Sequence, residues 1–124
     1  RLDTVPSHRP VKIVLGGEVV AETTDAMFAF EGNHPLRFYI QEEDVRMDLL
    51  SPTETTSVCP YKGRASYYSA TVNGKTFEDI AWCYSKTLPE CPRIKDLICF
   101  FNEKVDAVFL DGEELSSPDT KWSR

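Results

Sequence analysis

Apolar residues fall in short runs along this chain, and turn-forming residues separate them. Residues 11–15 (VKIVL) and 18–23 (EVVAET) flank Gly16-Gly17. Two β-rich runs joined by such a pair predict a tight hairpin. Residues 26–30 (AMFAF) read as a strand or one turn of helix, ending at Glu31-Gly32-Asn33. Residues 36–40 (LRFYI) alternate in character and predict a strand. The most helix-like stretch is 42–50 (EEDVRMDLL), whose acidic start suits the positive end of a helix dipole. It spans only about two turns before Pro52, so it predicts a short helix or an irregular bend. Residues 53–58 are polar and β-branched, and Cys59-Pro60-Tyr61-Lys62-Gly63 marks a turn.

The strongest local signal lies further on. Residues 65–72 and 75–84 flank Asn73-Gly74, which predicts a type I′ hairpin. An uninterrupted two-residue hairpin sets Val72 opposite Lys75, Ala70 opposite Phe77, and Tyr68 opposite Asp79. The period of two then places Ser66, Tyr68, Asp79 and Cys83 on one face. Tyr67, Ile80, Trp82 and Tyr84 fall on the other.

Pro89 and Pro92 bracket a loop, and one helical turn can follow over 92–97. Residues 98–101 and 105–110 are apolar around Asn102-Glu103-Lys104 and read as a further hairpin. Residues 1–10, with Pro6 and Pro10, read as an extended arm, 11–114 as a single β domain, and 115–124 as a frayed tail. The sum is a mainly β chain of about seven to nine short strands, spaced as in a sandwich or barrel.

The chain has 124 residues, enough for one domain and one core. It carries 14 Lys and Arg against 20 Asp and Glu, a net charge of −6. That balance argues against non-specific nucleic-acid binding and against docking on an anionic membrane. No apolar stretch is long enough for a spanning helix. The beginning, RLDTVPSHRP, has no apolar signal core and no initiator Met, so it reads as trimmed or processed. Cys59, Cys83, Cys91 and Cys99 lack the close spacing of a zinc knuckle, so no metal is implied. Cys83 and Cys99 sit in apolar runs, where a free thiol acts as a small core residue. The reading is free thiols in a reducing, cytoplasmic setting.

The segment DVRMDLLSPTETTSVCPYKGRASYYSATVNG, with AWCY after it and FFNEKVDAVFLDGE later, resembles family 427 of the domains of unknown function. The CPYKG-x-ASYY string ahead of AW-x-Y carries most of the likeness. The resemblance spans roughly residues 10–114. It implies an Mss-four-like fold of folded-over antiparallel sheets with one or two short helices. Zinc-binding relatives of that fold carry paired CxxC knuckles, which this chain lacks. Some classifications give the family a nucleotidyltransferase label. Such chemistry wants clustered carboxylates for magnesium. Asp44 and Asp48 would meet only if their segment were helical.

Candidate chemistry centres on the 59–64 turn, where Lys62 and Arg64 stand without an acid. The family pattern implies that Arg46 lies near this turn. Converging Arg46 and Lys62 would form a pocket for a carboxylate, phosphate or enolate; otherwise both are surface cations paired with Asp44, Asp48 or Glu42. Cys59 beside Lys62 is either a nucleophile with a raised thiolate fraction or a half-buried structural thiol. Lys62, Asp79 and Tyr68 would make an acid/base set, or Asp79 and Tyr68 a structural polar network. Tyr39, Tyr67, Trp82 and Tyr84 would line an apolar wall or form plain core, and His34 could reach the site from its loop. Three functions follow from these residues: a pocket for an anionic or carbonyl-bearing small molecule, with isomerase- or lyase-type chemistry open; a non-catalytic domain that dimerises through a sheet edge; and, more weakly, nucleotidyl transfer. No cofactor is implied.

Overall fold

The structure, a computed structural model, describes residues 2–89 and 92–116. Eleven strands make up most of it: β1 (Leu2–Pro6), β2 (Val11–Leu15), β3 (Glu18–Thr23), β4 (Met27–Glu31), β5 (Arg37–Ile40), β6 (Leu50–Cys59), β7 (Gly63–Val72), β8 (Lys75–Thr87), β9 (Ile98–Phe100), β10 (Ala107–Leu110) and β11 (Glu113–Glu114). One antiparallel sheet has the order β1-β4-β5-β9-β8-β7-β6, and a second has the order β11-β10-β2-β3. The mainly β reading holds, and no helix among the described residues reaches seven residues.

Period-two alternation builds two cores. Phe38 and Ile40 of β5, Ile98 and Phe100 of β9, and Ala81 and Cys83 of β8 face the smaller sheet. There they meet Val11, Ile13 and Leu15 of β2 with Val108 and Leu110 of β10. The intervening Tyr39, Cys99, Trp82 and Tyr84 form a second cluster on the outer face of the larger sheet. The 3₁₀ turn Pro92–Ile94 caps it with Ile94, which is fully buried. A strand buried on both faces needs apolar residues at every position. That explains the unbroken IAWCY and ICF runs.

Both predicted turns at Gly16-Gly17 and Asn73-Gly74 form hairpins. Other readings are settled between their alternatives, extended or changed. Within the extended arm, β1 pairs with β4 from Leu2 opposite Glu31 to Pro6 opposite Met27. Residues 26–30 resolve in favour of a strand, β4. The 42–50 segment is two 3₁₀ turns, Glu42–Asp44 and Met47–Leu49. Val45 between them is extended, buried and bridged to Ala21 of β3, which breaks any continuous helix. Residues 98–110 are no hairpin, because β9 joins one sheet and β10 the other. In the tail, Leu115 donates its N–H to the Val108 carbonyl and packs on the inner core. The rest of the tail from 117, and Cys91, lie outside the described residues. Cys59, Cys83 and Cys99 are free thiols.

The β7–β8 register also departs from the simple hairpin. Val72 opposite Lys75 and Ala70 opposite Phe77 are as expected, but Tyr68 then faces Ala81 and Tyr67 faces Trp82. Asp79 causes the slip by adopting a φ of +50°. Aspartate enters this left-handed region more readily than most residues. The resulting bulge turns Ile80 into the inner core beside Ala81, against strict alternation.

Candidate functional site

The outer aromatic cluster opens into a cleft of about 370 Å³. Its floor is Trp82 and Tyr84 of β8, Tyr67 of β7, and Phe101 just beyond β9. Trp82 and Phe101 have ring centroids 4.5 Å apart, and Phe101 stacks on Tyr67 at 6.4 Å. Below them Tyr39 is buried and accepts a hydrogen bond from Trp82 Nε1 at 3.2 Å. Burial pushes the Tyr39 phenol far above its ordinary range, so it stays a neutral hydroxyl that fixes the indole. Cys99, beside it in the same cluster, has its thiol pushed by burial up to about 12. It is a core residue and not a nucleophile.

Two cations border the floor, each held by a glutamate. Arg37 of β5 lies 5.1 Å from the Trp82 ring centroid and 5.6 Å from that of Phe101. It donates to both carboxylate oxygens of Glu103, at 2.7 and 3.2 Å. These side chains are 14% and 15% exposed, so water screens them weakly. Burial opposes charge on both members. The hydrogen bonds and mutual attraction more than offset it, raising Arg37 and lowering Glu103. The second pair joins Lys62 to Glu31, at the end of β4, through one carboxylate oxygen at 2.7 Å. Lys62 is 12% exposed and Glu31 21%. The ammonium also lies 5.7 Å from the Tyr84 ring centroid.

Backbone geometry delivers Lys62 to this place. The Lys62 carbonyl accepts the Leu88 N–H, and Gly63 pairs with Thr87 to start β7. Gly63 has a φ of +119°, and a Cβ there would overlap the Lys86 carbonyl oxygen. Only glycine allows the turn to close so tightly on β8.

The structure brings Lys62, Cys59, His34, Tyr67 and Trp82 together around the cleft, with Tyr39 directly beneath. It does not assemble the Lys62–Asp79–Tyr68 set. Lys62 pairs with Glu31 instead. Asp79 is clamped by β6, where Thr53 Oγ1 and Thr55 Oγ1 each donate to it at 2.7 Å. Its N–H donates to Ser69 Oγ at 3.0 Å. Tyr68 packs against the inner core on the opposite face. Burial there raises its phenol, so it is a poorer acid than free tyrosine. Asp79 is therefore a structural residue that ties the β8 bulge to edge strand β6. Asp79→Ala is expected to cost about 2 kcal/mol in urea unfolding. Ligand affinity at the cleft should stay unchanged, and a loss of binding at full stability would contradict the assignment.

Arg46 does not converge with Lys62. It pairs with Asp48 at 2.9 Å, is 50% exposed, and stands over β3 through an N–H to the Val20 carbonyl. Asp44 is engaged by Thr23 and Gln41, so Asp44 and Asp48 do not meet as a metal-binding pair. Among the described residues no three His, Cys, Asp or Glu side chains gather as metal ligands.

Arg37, Glu31 and Phe101 were not singled out from the sequence. Alternation along LRFYI sets Arg37 on the face of Tyr39, which was a usable signal. Nothing local announces that β9 inserts between β5 and β8.

The fold and site define a class: a mainly β domain with an aromatic cleft bordered by two glutamate-paired cations. The chain belongs to the family described as Domain of unknown function (DUF427), which matches residues 3–111. No curated protein matches it.

Proposed function

We propose that this protein binds a small anionic or carbonyl-bearing molecule in the cleft, its apolar body on Trp82, Tyr67 and Phe101. The observation that carries the reading is the placing of two weakly exposed cations over a continuous aromatic floor. A cleft of about 370 Å³ suits a small metabolite, since ligand pockets start near roughly 300 Å³. Lys62 is the anchoring charge and Arg37 the rigid wall. With Asp79 and Tyr68 elsewhere, the Lys62–Glu31 pair, joined through a single oxygen, is one of two glutamate–cation pairs among the described residues of the cleft. Any isomerase- or lyase-type proton transfer would draw on this pair, with His34 and Cys59 on the same cleft. Three free thiols support a reducing, cytoplasmic setting. Among the described residues no helix is long and apolar enough to cross a membrane.

Dimerisation through a sheet edge is the second reading. Strand β6 ends the larger sheet and is largely exposed. Pro52 lies in it and its ladder is interrupted between Pro52 and Thr56, features that discourage edge pairing. The binding reading is therefore favoured.

The test is a panel of small carboxylates, phosphates and ketones titrated into isotope-labelled protein by NMR. Shifts are expected at Lys62, Arg37 and Trp82, and Lys62→Ala should weaken binding about tenfold or more, as loss of a buried charged contact does. Shifts confined to other faces, or undiminished affinity in Lys62→Ala, would refute the proposal.

A further inference from the structure

We infer that the cleft selects an aromatic monocarboxylate, and that this ligand binds by taking Lys62 from Glu31. The inference rests on the binding reading above and specifies its ligand class.

The two ion pairs differ in how readily they can be exchanged. Glu103 uses both carboxylate oxygens on Arg37, whose guanidinium is also held against Trp82 and Phe101. Displacing it would break two charge-assisted hydrogen bonds at a site 14–15% exposed. Glu31 meets Lys62 through a single oxygen. An ammonium has three donors, so Lys62 can accept a second carboxylate before releasing the first.

Glu31 also has somewhere to go. It is the last residue of β4, and Gly32 follows with a φ of +51°. A Cβ at Gly32 would meet nothing within 4 Å, so the turn borders open space. Glu31 is already the more exposed member of its pair. The side chain can swing outward into water, while the Lys62 backbone is tied to Leu88 and its ammonium lies 5.7 Å from the Tyr84 ring centroid.

The same geometry fixes the ligand's charge and shape. The protein's own cations stand beside the aromatic floor: Arg37 near Trp82 and Phe101, Lys62 near Tyr84, and Lys104 4.3 Å from the Phe101 centroid. A cationic ligand would meet like charge at each ring. Of the two cations among the described residues that line the cleft, Arg37 is already matched by Glu103, so Lys62 is left to meet a single ligand charge. A single carboxylate replaces the negative charge of Glu31 with another at Lys62. The aromatic floor then favours a flat apolar body over an aliphatic chain.

The experiment titrates 2-naphthoate and its neutral isostere 2-naphthamide into the wild-type protein and Glu31→Gln, by calorimetry and NMR. Wild type should prefer 2-naphthoate to 2-naphthamide. Glu31→Gln should tighten 2-naphthoate about tenfold, because the competing charge is gone, and leave 2-naphthamide within about twofold. Glu31→Ala should shift 2-naphthoate in the same direction, and thermal melting checks that both variants are folded. Unchanged or weaker naphthoate binding in Glu31→Gln overturns the exchange and leaves the cleft's binding role standing. Equal tightening of acid and amide overturns it too, since Glu31 would then be only a steric plug. No binding of either probe to either protein removes the aromatic carboxylate class. The wider binding reading falls only if the phosphates, ketones and other acids of its own panel also fail.

Discussion

Gly63→Ala is expected to lower the unfolding free energy by about 3 kcal/mol, near the upper end of single-residue backbone strain. Two effects add. The φ of +119° is closed to residues with a Cβ, and the Cβ itself would overlap the Lys86 carbonyl oxygen with the Thr87 Cα also close. These obstacles are backbone atoms of the neighbouring strand, so no side-chain rotation relieves them. The β7–β8 pairing must open at Gly63 opposite Thr87. Lys62 would leave the cleft with it, so the variant should lose ligand binding even where it remains folded. Urea unfolding followed by tryptophan fluorescence measures the first effect and NMR titration the second. A loss under about 1 kcal/mol would mean the turn can close in another way.

Arg37→Ala should be nearly as damaging, at about 3 kcal/mol, the lower end for breaking a buried ion pair. It strips Glu103 of both hydrogen bonds and uncovers the faces of Trp82 and Phe101. Glu103→Gln should be milder, because an amide oxygen still accepts from the guanidinium. The two variants separate through pH. Burial opposes charge on Glu103, yet the Arg37 hydrogen bond holds its carboxyl below the ordinary value in the folded protein. The pair's contribution is therefore complete above the unfolded glutamate value of about 4.3 and is lost as pH falls from there through the lower folded value. Glu103→Gln should flatten the acid limb of the stability profile relative to wild type. An unchanged limb would mean that other carboxylates govern acid unfolding.

Much of the fold could be read locally, because strands buried on both faces advertise themselves as apolar runs. The Asn73-Gly74 turn set the hairpin, and alternation through LRFYI and IAWCY set which side chains share a face. Tyr67 and Trp82 reached the cleft by that logic, and Cys59 and Lys62 by the turn chemistry of CPYKG. What escaped was non-local. Asp79 can enter the left-handed region, and there it is held by Thr53 and Thr55 of another strand and by Ser69. The register beyond Phe77, and with it the Tyr68–Asp79 pairing, depended on that choice. The 42–50 segment carries a helical pattern that loses to the burial of Val45 against β3. Glu31 and Arg37 gained their roles from partners 31 and 66 positions away.

The order of strands bears on how the chain must be made. β9 sits between β5 and β8, although it is synthesised long after β5. Until it emerges from the ribosome, β5 and β8 each present a bare apolar edge, a hazard for intermolecular pairing. The smaller sheet is also incomplete, because β10 arrives later still to cover β2. No N-terminal fragment ending before residue 98 can hold both walls of the cleft together. Binding competence should then appear all at once, after residues 98–110 have been made, and truncation before them should give aggregates and not a half-active domain.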